Sequence, residues 1–107
     1  MKAFDIDELE ARRAAHGRPV LEFLREKSMS LSLYTLPPAG PDPQHPHGED
    51  EVYVVSAGSG QIRVGDEDRP VGPGSVVFVP ARTEHHFHSI TEKLIVVVMF
   101  APPRNVR

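Results

Sequence analysis

Apolar positions along the 107-residue chain change their period once, near residue 20. Ahead of that point Ile6, Leu9, Ala14 and Gly17 suit a helical stripe and its stop, and Asp5 with Glu8 three positions later has the form of a capping box. Residues 5–16 are therefore predicted to form a short amphipathic helix. Beyond it, runs rich in β-branched and aromatic residues alternate with Pro, Gly and Asp turns at a spacing of roughly ten residues. The runs are Val20–Leu24, Met29–Leu36, Val52–Ser56, Gln61–Val64, Ser75–Val79, His85–Ile90 and Leu94–Ala101. This rhythm predicts an all-β barrel or sandwich over residues 19–107, with residues 1–18 as a helical extension.

Three turns stand out between the runs: Ala57-Gly58-Ser59-Gly60, Val64-Gly65-Asp66-Glu67-Asp68 and Val71-Gly72-Pro73-Gly74. Each is expected to join antiparallel neighbours. The segment Leu94-Ile95-Val96-Val97-Val98-Met99-Phe100 lacks polar alternation, so both of its faces need cover from a second sheet, the helix or another subunit. Prolines at 37, 38, 41, 43 and 46 make a stiff, irregular approach to a histidine-rich stretch, not a domain boundary. No internal repeat is evident.

Composition narrows the function classes. Hydrophobic residues make up 39% and charged residues 25%, enough for one folded core. Twelve basic and fifteen acidic residues give a net charge of −3, and no Lys/Arg cluster interleaves with aromatics, so nucleic acid is not an expected partner. Cysteine is absent, which removes disulfides, thiolate chemistry and Cys-type zinc sites. Any metal must use His, Asp or Glu. The N-terminus has no signal-like apolar run and no stretch approaches the ~20 apolar residues of a membrane span, so a cytoplasmic location is expected.

Five of the six histidines fall in two clusters, His45-Pro46-His47 and His85-His86-Phe87-His88. Alternate residues of a strand share a face, so His45 and His47 can aim at one point, and a second strand can bring another imidazole to it. Imidazole is the commonest protein metal ligand near neutral pH. A carboxylate follows in Gly48-Glu49-Asp50-Glu51, where Glu49 and Glu51 share the histidines' parity and spacing does not choose between them. His16, in an Arg-rich helix end, reads as a C-terminal cap.

The stretch from Gly40 through His45-Pro46-His47, Glu51 and Gly58 resembles the first motif of the cupin family, in which two histidines one residue apart precede a glutamate and then a glycine. Gly74-Ser75-Val76-Val77-Phe78-Val79-Pro80-Ala81-Arg82-Thr83-Glu84-His85 resembles the second. The likeness implies a cupin barrel, a double-stranded β-helix of jelly-roll type. It also implies four metal ligands: His45, His47, Glu51 and His85. Three departures bear on loop shape: four residues instead of five between Gly40 and His45, Arg82 in place of a usual glycine, and Ser89 in place of a usual asparagine.

A site of three imidazoles and one carboxylate implies one divalent ion, Fe, Mn, Ni, Co or Zn. Four ligands saturate tetrahedral zinc, whereas an octahedral ion keeps two positions open for a small-molecule ligand or substrate and dioxygen. Strand parity from His85 places Phe87 and Ser89 inside and His86 and His88 outside. Tyr53, on the face of Glu51, is a candidate catalytic residue and equally a buried barrel residue. The expected function is a metal-dependent, dioxygenase-like enzyme acting on a small organic substrate. The alternatives are a non-catalytic binding module and a non-oxidative isomerase, decarboxylase or lyase. The apolar C-terminal run and the N-terminal strand predict a homodimer.

Overall fold

In the computed structural model, which describes residues 1–105, the elements run α1 Ile6–His16, β1 Val20–Arg25, β2 Ser30–Leu36, β3 Asp50–Val64, β4 Glu67–Val71, β5 Val76–Val79 and β6 His85–Ala101. All strand pairings are antiparallel. The order across the sheet is β1-β2-β6-β3-β4, with β5 on the β4 side of β3. No helix among the described residues is long and apolar enough to cross a membrane.

Seven expected runs become five strands because β3 and β6 are each continuous where a break was expected, and β4 makes a sixth. They pair along almost their whole length, and the register shifts between Val55 and Gln61 are bulges that curl the two strands into a barrel wall. Ala57-Gly58-Ser59-Gly60 is therefore a bulged strand and not a turn. Gly58 has φ 90, and a Cβ there would lie 2.0 Å from the Lys93 carbonyl oxygen, so only glycine lets the two backbones approach. Gly65-Asp66 is a true two-residue turn, with Gly65 at φ 60 as a II′ hairpin requires. It opens β4, an element absent from the expected runs. Pro70 sits within β4, which suits an edge strand.

The barrel interior is packed by alternate residues of the strands, among them Tyr34, Tyr53, Val55, Ile62, Phe87, Leu94, Val96 and Phe100. Opposite parity on β2 puts Leu33 and Thr35 on the outer face. There α1 lies against β1 and β2, and it buries Leu9. The helix deviates from its expected stripe: Ala14 is exposed, and Glu10 and Arg13 turn toward the barrel instead. Arg13 donates to Glu10 at 2.7 Å, and Glu10 accepts from the Thr35 hydroxyl at 2.7 Å. Asp5 is the N-cap but makes no side-chain cap bond, so the capping box is not formed. Gly17 closes the helix in the left-handed conformation at φ 82.

The outer face of the apolar β6 run is only partly covered. Leu94, Val96, Val98 and Phe100 are buried in the core, while Met99 is exposed and Ile95 and Val97 are half-buried. Register places Met99 beside Val52 and Val52 beside Phe78, and likewise Val97 beside Val54 and Val54 beside Val76. Two apolar rows thus cross the outside of the sheet, next to the area that α1 covers.

Candidate metal centre

Glu51 and Tyr53 on β3 share the inward face, and β6 starts with His85 on the same side of the barrel. All three are buried. His85 Nδ1–H donates to the Thr83 carbonyl at 2.8 Å, which leaves Nε2 directed at Glu51 and Gln44. Glu51 Oε2 lies 2.9 Å from that nitrogen and Gln44 Oε1 lies 3.2 Å from it. A neutral imidazole oriented this way presents a lone pair to two further acceptor oxygens. Such a cluster calls for a cation, either a proton on Nε2 or a metal ion in its place. Burial pushes the His85 pKa down, but the Glu51 carboxylate and the Thr83 carbonyl outweigh it, and the net direction is upward.

His47 joins them from the segment before β3. One ligand atom from each of His47, Glu51 and His85 lies within 4.8 Å of the others, the spacing at which one ion can bind all three. Two imidazoles and a carboxylate fit a borderline or hard divalent ion. The His47 ring stands edge-on to His85 at 5.6 Å and to Phe100 at 6.0 Å. Burial, followed by the nearby Arg104 charge, lowers its pKa and favours the neutral, ligating form.

Expected ligands on strands and on the loop fare differently. Glu51 lies in the cluster and Glu49 does not; Glu49 is buried beside Arg104, with its Oε1 3.9 Å from Nε. His45 is exposed and lines the cavity next to His47, outside the group of three. Residues 37–49 form no strand, so the parity that pairs His45 with His47 does not run through them. Instead Asp42, Gln44 and His47 are half-buried and Pro41, Pro43, His45 and Pro46 exposed, a one-residue slip between 44 and 47.

Sequence reasoning missed Asp42 and Gln44. Asp42 accepts hydrogen bonds from the Tyr34 hydroxyl, from Gln44 Nε2 at 2.7 Å and from the Phe87 backbone N–H at 2.8 Å. Gln44 Oε1 accepts from the Tyr53 hydroxyl at 2.8 Å. The alternation Pro41-Asp42-Pro43-Gln44 carried the signal, because proline cannot be the inward polar member. Glu51 Oε1 lies 3.1 Å from the same hydroxyl and shares its one proton with Gln44, and burial pushes the Tyr53 pKa well up, so the hydroxyl keeps that proton.

His86 is exposed, and His88 pairs with Asp68 at 2.6 Å on the outside of the barrel. Phe87 points inward as expected. Ser89 does not: it is exposed at φ 51, and Ile90 takes the inward place across the bulge. Arg82 has φ 62, so both positions that depart from the family pattern keep a left-handed backbone without glycine or asparagine. His16 lies in the last turn of α1, consistent with a favourable dipole contact.

Through His47 the cluster borders a cavity of about 460 Å³ between the inner face of β2 and the 37–47 segment, a size suited to a small organic molecule. Its walls include Pro19, Tyr34, Leu36, Pro43, Val98 and Phe100, with His45, His47, Gln44 and Arg104 as polar members.

A small antiparallel β-barrel with a buried His/Glu cluster at its open end defines a class, and comparison with known proteins gives it a family. Residues 32–101 match the cupin domain family, and the chain belongs to it. It is 52% identical over 105 residues to the uncharacterized protein SCO3923 of Streptomyces coelicolor, covering 98% of this chain and all of that one. Among solved structures it is similar to TT1209 from Thermus thermophilus, with a TM-score of 0.77 and 26% identity over 96% of this chain and 99% of that one. It shares its fold with a predicted oxalate decarboxylase from Thermotoga maritima, with a TM-score of 0.66 and 21% identity over 78% of each chain.

Proposed function

We propose that this cupin is a metal-dependent enzyme acting on a small organic molecule, most simply an oxygenase. The observation that carries the reading is the convergence of His47, Glu51 and His85, all with acceptor atoms, with His47 also lining a cavity of mostly apolar walls. His47, Glu51 and His85 would hold the ion, with His45 as the expected fourth ligand. A redox-active ion held there would supply activation of substrate and dioxygen. Thr83 fixes the His85 tautomer, and Tyr53 orients Glu51 by donating to it, a positioning role rather than proton transfer. Apolar walls exclude water from bound substrate.

A non-catalytic binding module is the second reading. It is favoured by Tyr53 and Gln44, which donate and accept hydrogen bonds at the cluster but move no proton at neutral pH. One experiment separates the readings: a thermal-shift compound screen on Fe(II)-, Mn(II)- and Zn(II)-loaded protein, followed by product analysis with and without oxygen. Oxygen consumption by the Fe(II) or Mn(II) form alone supports the oxygenase. Turnover without oxygen and with Zn(II) assigns a decarboxylase, isomerase or lyase, and stabilisation without turnover assigns a binding module.

The same reading includes a homodimer. Val76 and Phe78 are 63% and 56% exposed in the two apolar rows that also contain Val54 and Met99, a patch that a second copy would cover. A light-scattering mass near 11.8 kDa at micromolar concentration would rule the dimer out.

A further inference from the structure

Arg104 is the one Lys or Arg side chain among the described residues that line the cavity. Its place is fixed although it follows the last strand. Its backbone N–H donates to Ser30 Oγ at 2.9 Å, and its carbonyl accepts from the Arg25 guanidinium. The guanidinium carbon lies 5.3 Å from the centre of the Phe100 ring, whose edge-on neighbour at 6.0 Å is His47. Cation and metal cluster therefore flank one aromatic ring. Glu49 is its nearest charged partner among the described residues, at 3.9 Å, beyond hydrogen-bond length. The planar fork of donors beside apolar walls is left with capacity for an incoming acceptor.

We propose that the cavity takes a small carboxylate compound, with Arg104 binding the carboxylate and an adjacent oxo or hydroxyl oxygen reaching the His47–Glu51–His85 cluster; this rests on the metal-centre reading above. A guanidinium matches a planar carboxylate in charge and shape, whereas a neutral ligand of the same size leaves it unsatisfied. The chain is acidic overall, so Arg104 selects anions by local contact and not by long-range attraction.

The test uses full-length Mn(II)-loaded protein and calorimetric titration with a panel of short 2-oxo and 2-hydroxy acids, each beside its neutral methyl ester. At least one acid is expected to bind about tenfold tighter than its ester, the effect of a charged hydrogen-bonded contact. Arg104→Gln should cut that ratio about tenfold, and Arg104→Lys should restore part of it. Mn(II) affinity should stay within about twofold in both variants. Glu49→Gln is the control: it should leave the ratio intact or raise it. An unchanged ratio in Arg104→Gln, or equal losses in Arg104→Gln and Glu49→Gln, would overturn the proposal, as would a panel in which no acid outbinds its ester. Failure of the wild-type protein to bind Mn(II), Fe(II), Ni(II) or Zn(II) at all would overturn the metal reading, and this inference with it.

Discussion

The candidate metal site is built from two halves of different construction. Glu51, Tyr53 and His85 sit on β3 and β6, whose backbones are locked to each other residue by residue. Gln44, His45 and His47 sit on a proline-rich segment without strand pairing, held down by side chains. On the strand side the period of two holds near the cluster, and Glu51, Tyr53, His85 and Phe87 all face inward. On the loop side it slips, and of two histidines at strand spacing only His47 reaches the group. A ladder of backbone hydrogen bonds transmits side-chain direction along the chain. A loop sets each direction by its own local contacts.

The largest expected effect comes from breaking the strand half. Gly58→Ala places a methyl group into the Lys93 and Leu94 backbone and adds strain at φ 90, so a loss of about 3 kcal/mol or more of stability is expected. Chemical denaturation checks it, and a loss under about 1 kcal/mol would mean that the β3–β6 bulge is soft.

Ligand substitutions sharpen the contrast between the halves. Glu51→Ala and His85→Ala should each lower divalent-metal affinity about 100-fold or more, because the remaining members are preset and cannot rearrange to compensate. His45→Ala, on the loop, should cost about tenfold, and Glu49→Ala, His86→Ala and His88→Ala close to nothing. Metal titration of the six variants decides, and equal losses at Glu49 and Glu51 would refute the carboxylate assignment.

The loop half should yield to the removal of one tether. Asp42→Ala unties Tyr34, Gln44 and the Phe87 N–H together, leaving a backbone donor in need of a partner, and about 2 kcal/mol of stability is at stake. Metal affinity should fall by a smaller factor than in Glu51→Ala, since His85 and Glu51 keep their frame. Equal losses would show that the loop, and not the strands, governs the site.

The smallest effect is a gain. Arg82 holds φ 62 with a side chain, and its N–H donates to the His47 carbonyl, a bond that glycine keeps. Relief of the left-handed strain exceeds the added freedom of glycine in the unfolded chain, so Arg82→Gly should raise stability by about 0.5 kcal/mol. A lower melting temperature would show that the Arg82 side chain does more than tolerate its backbone.

The residues alone determined the all-β class, the short helix before it, and the residue types that can gather around a metal, because period, turn chemistry and donor identity are local properties. Resemblance to the cupin motifs then singled out Glu51 over Glu49, and it is Glu51 that lies near His47 and His85. Only the tertiary structure decided that Ala57–Gly60 is bulged strand, since the test is whether Gly58 can lie against Lys93, thirty-five residues away in the chain. The same holds for β4, an edge strand too polar to show a period, and for Ser89, turned outward by a bulge. Gln44 and Arg104 reached the cavity, and Asp42 the place where it ties Gln44 down, unannounced for a related reason. Their directions are set by Tyr53, Phe87 and Ser30, partners brought close by strand pairing and by no pattern in their own segments.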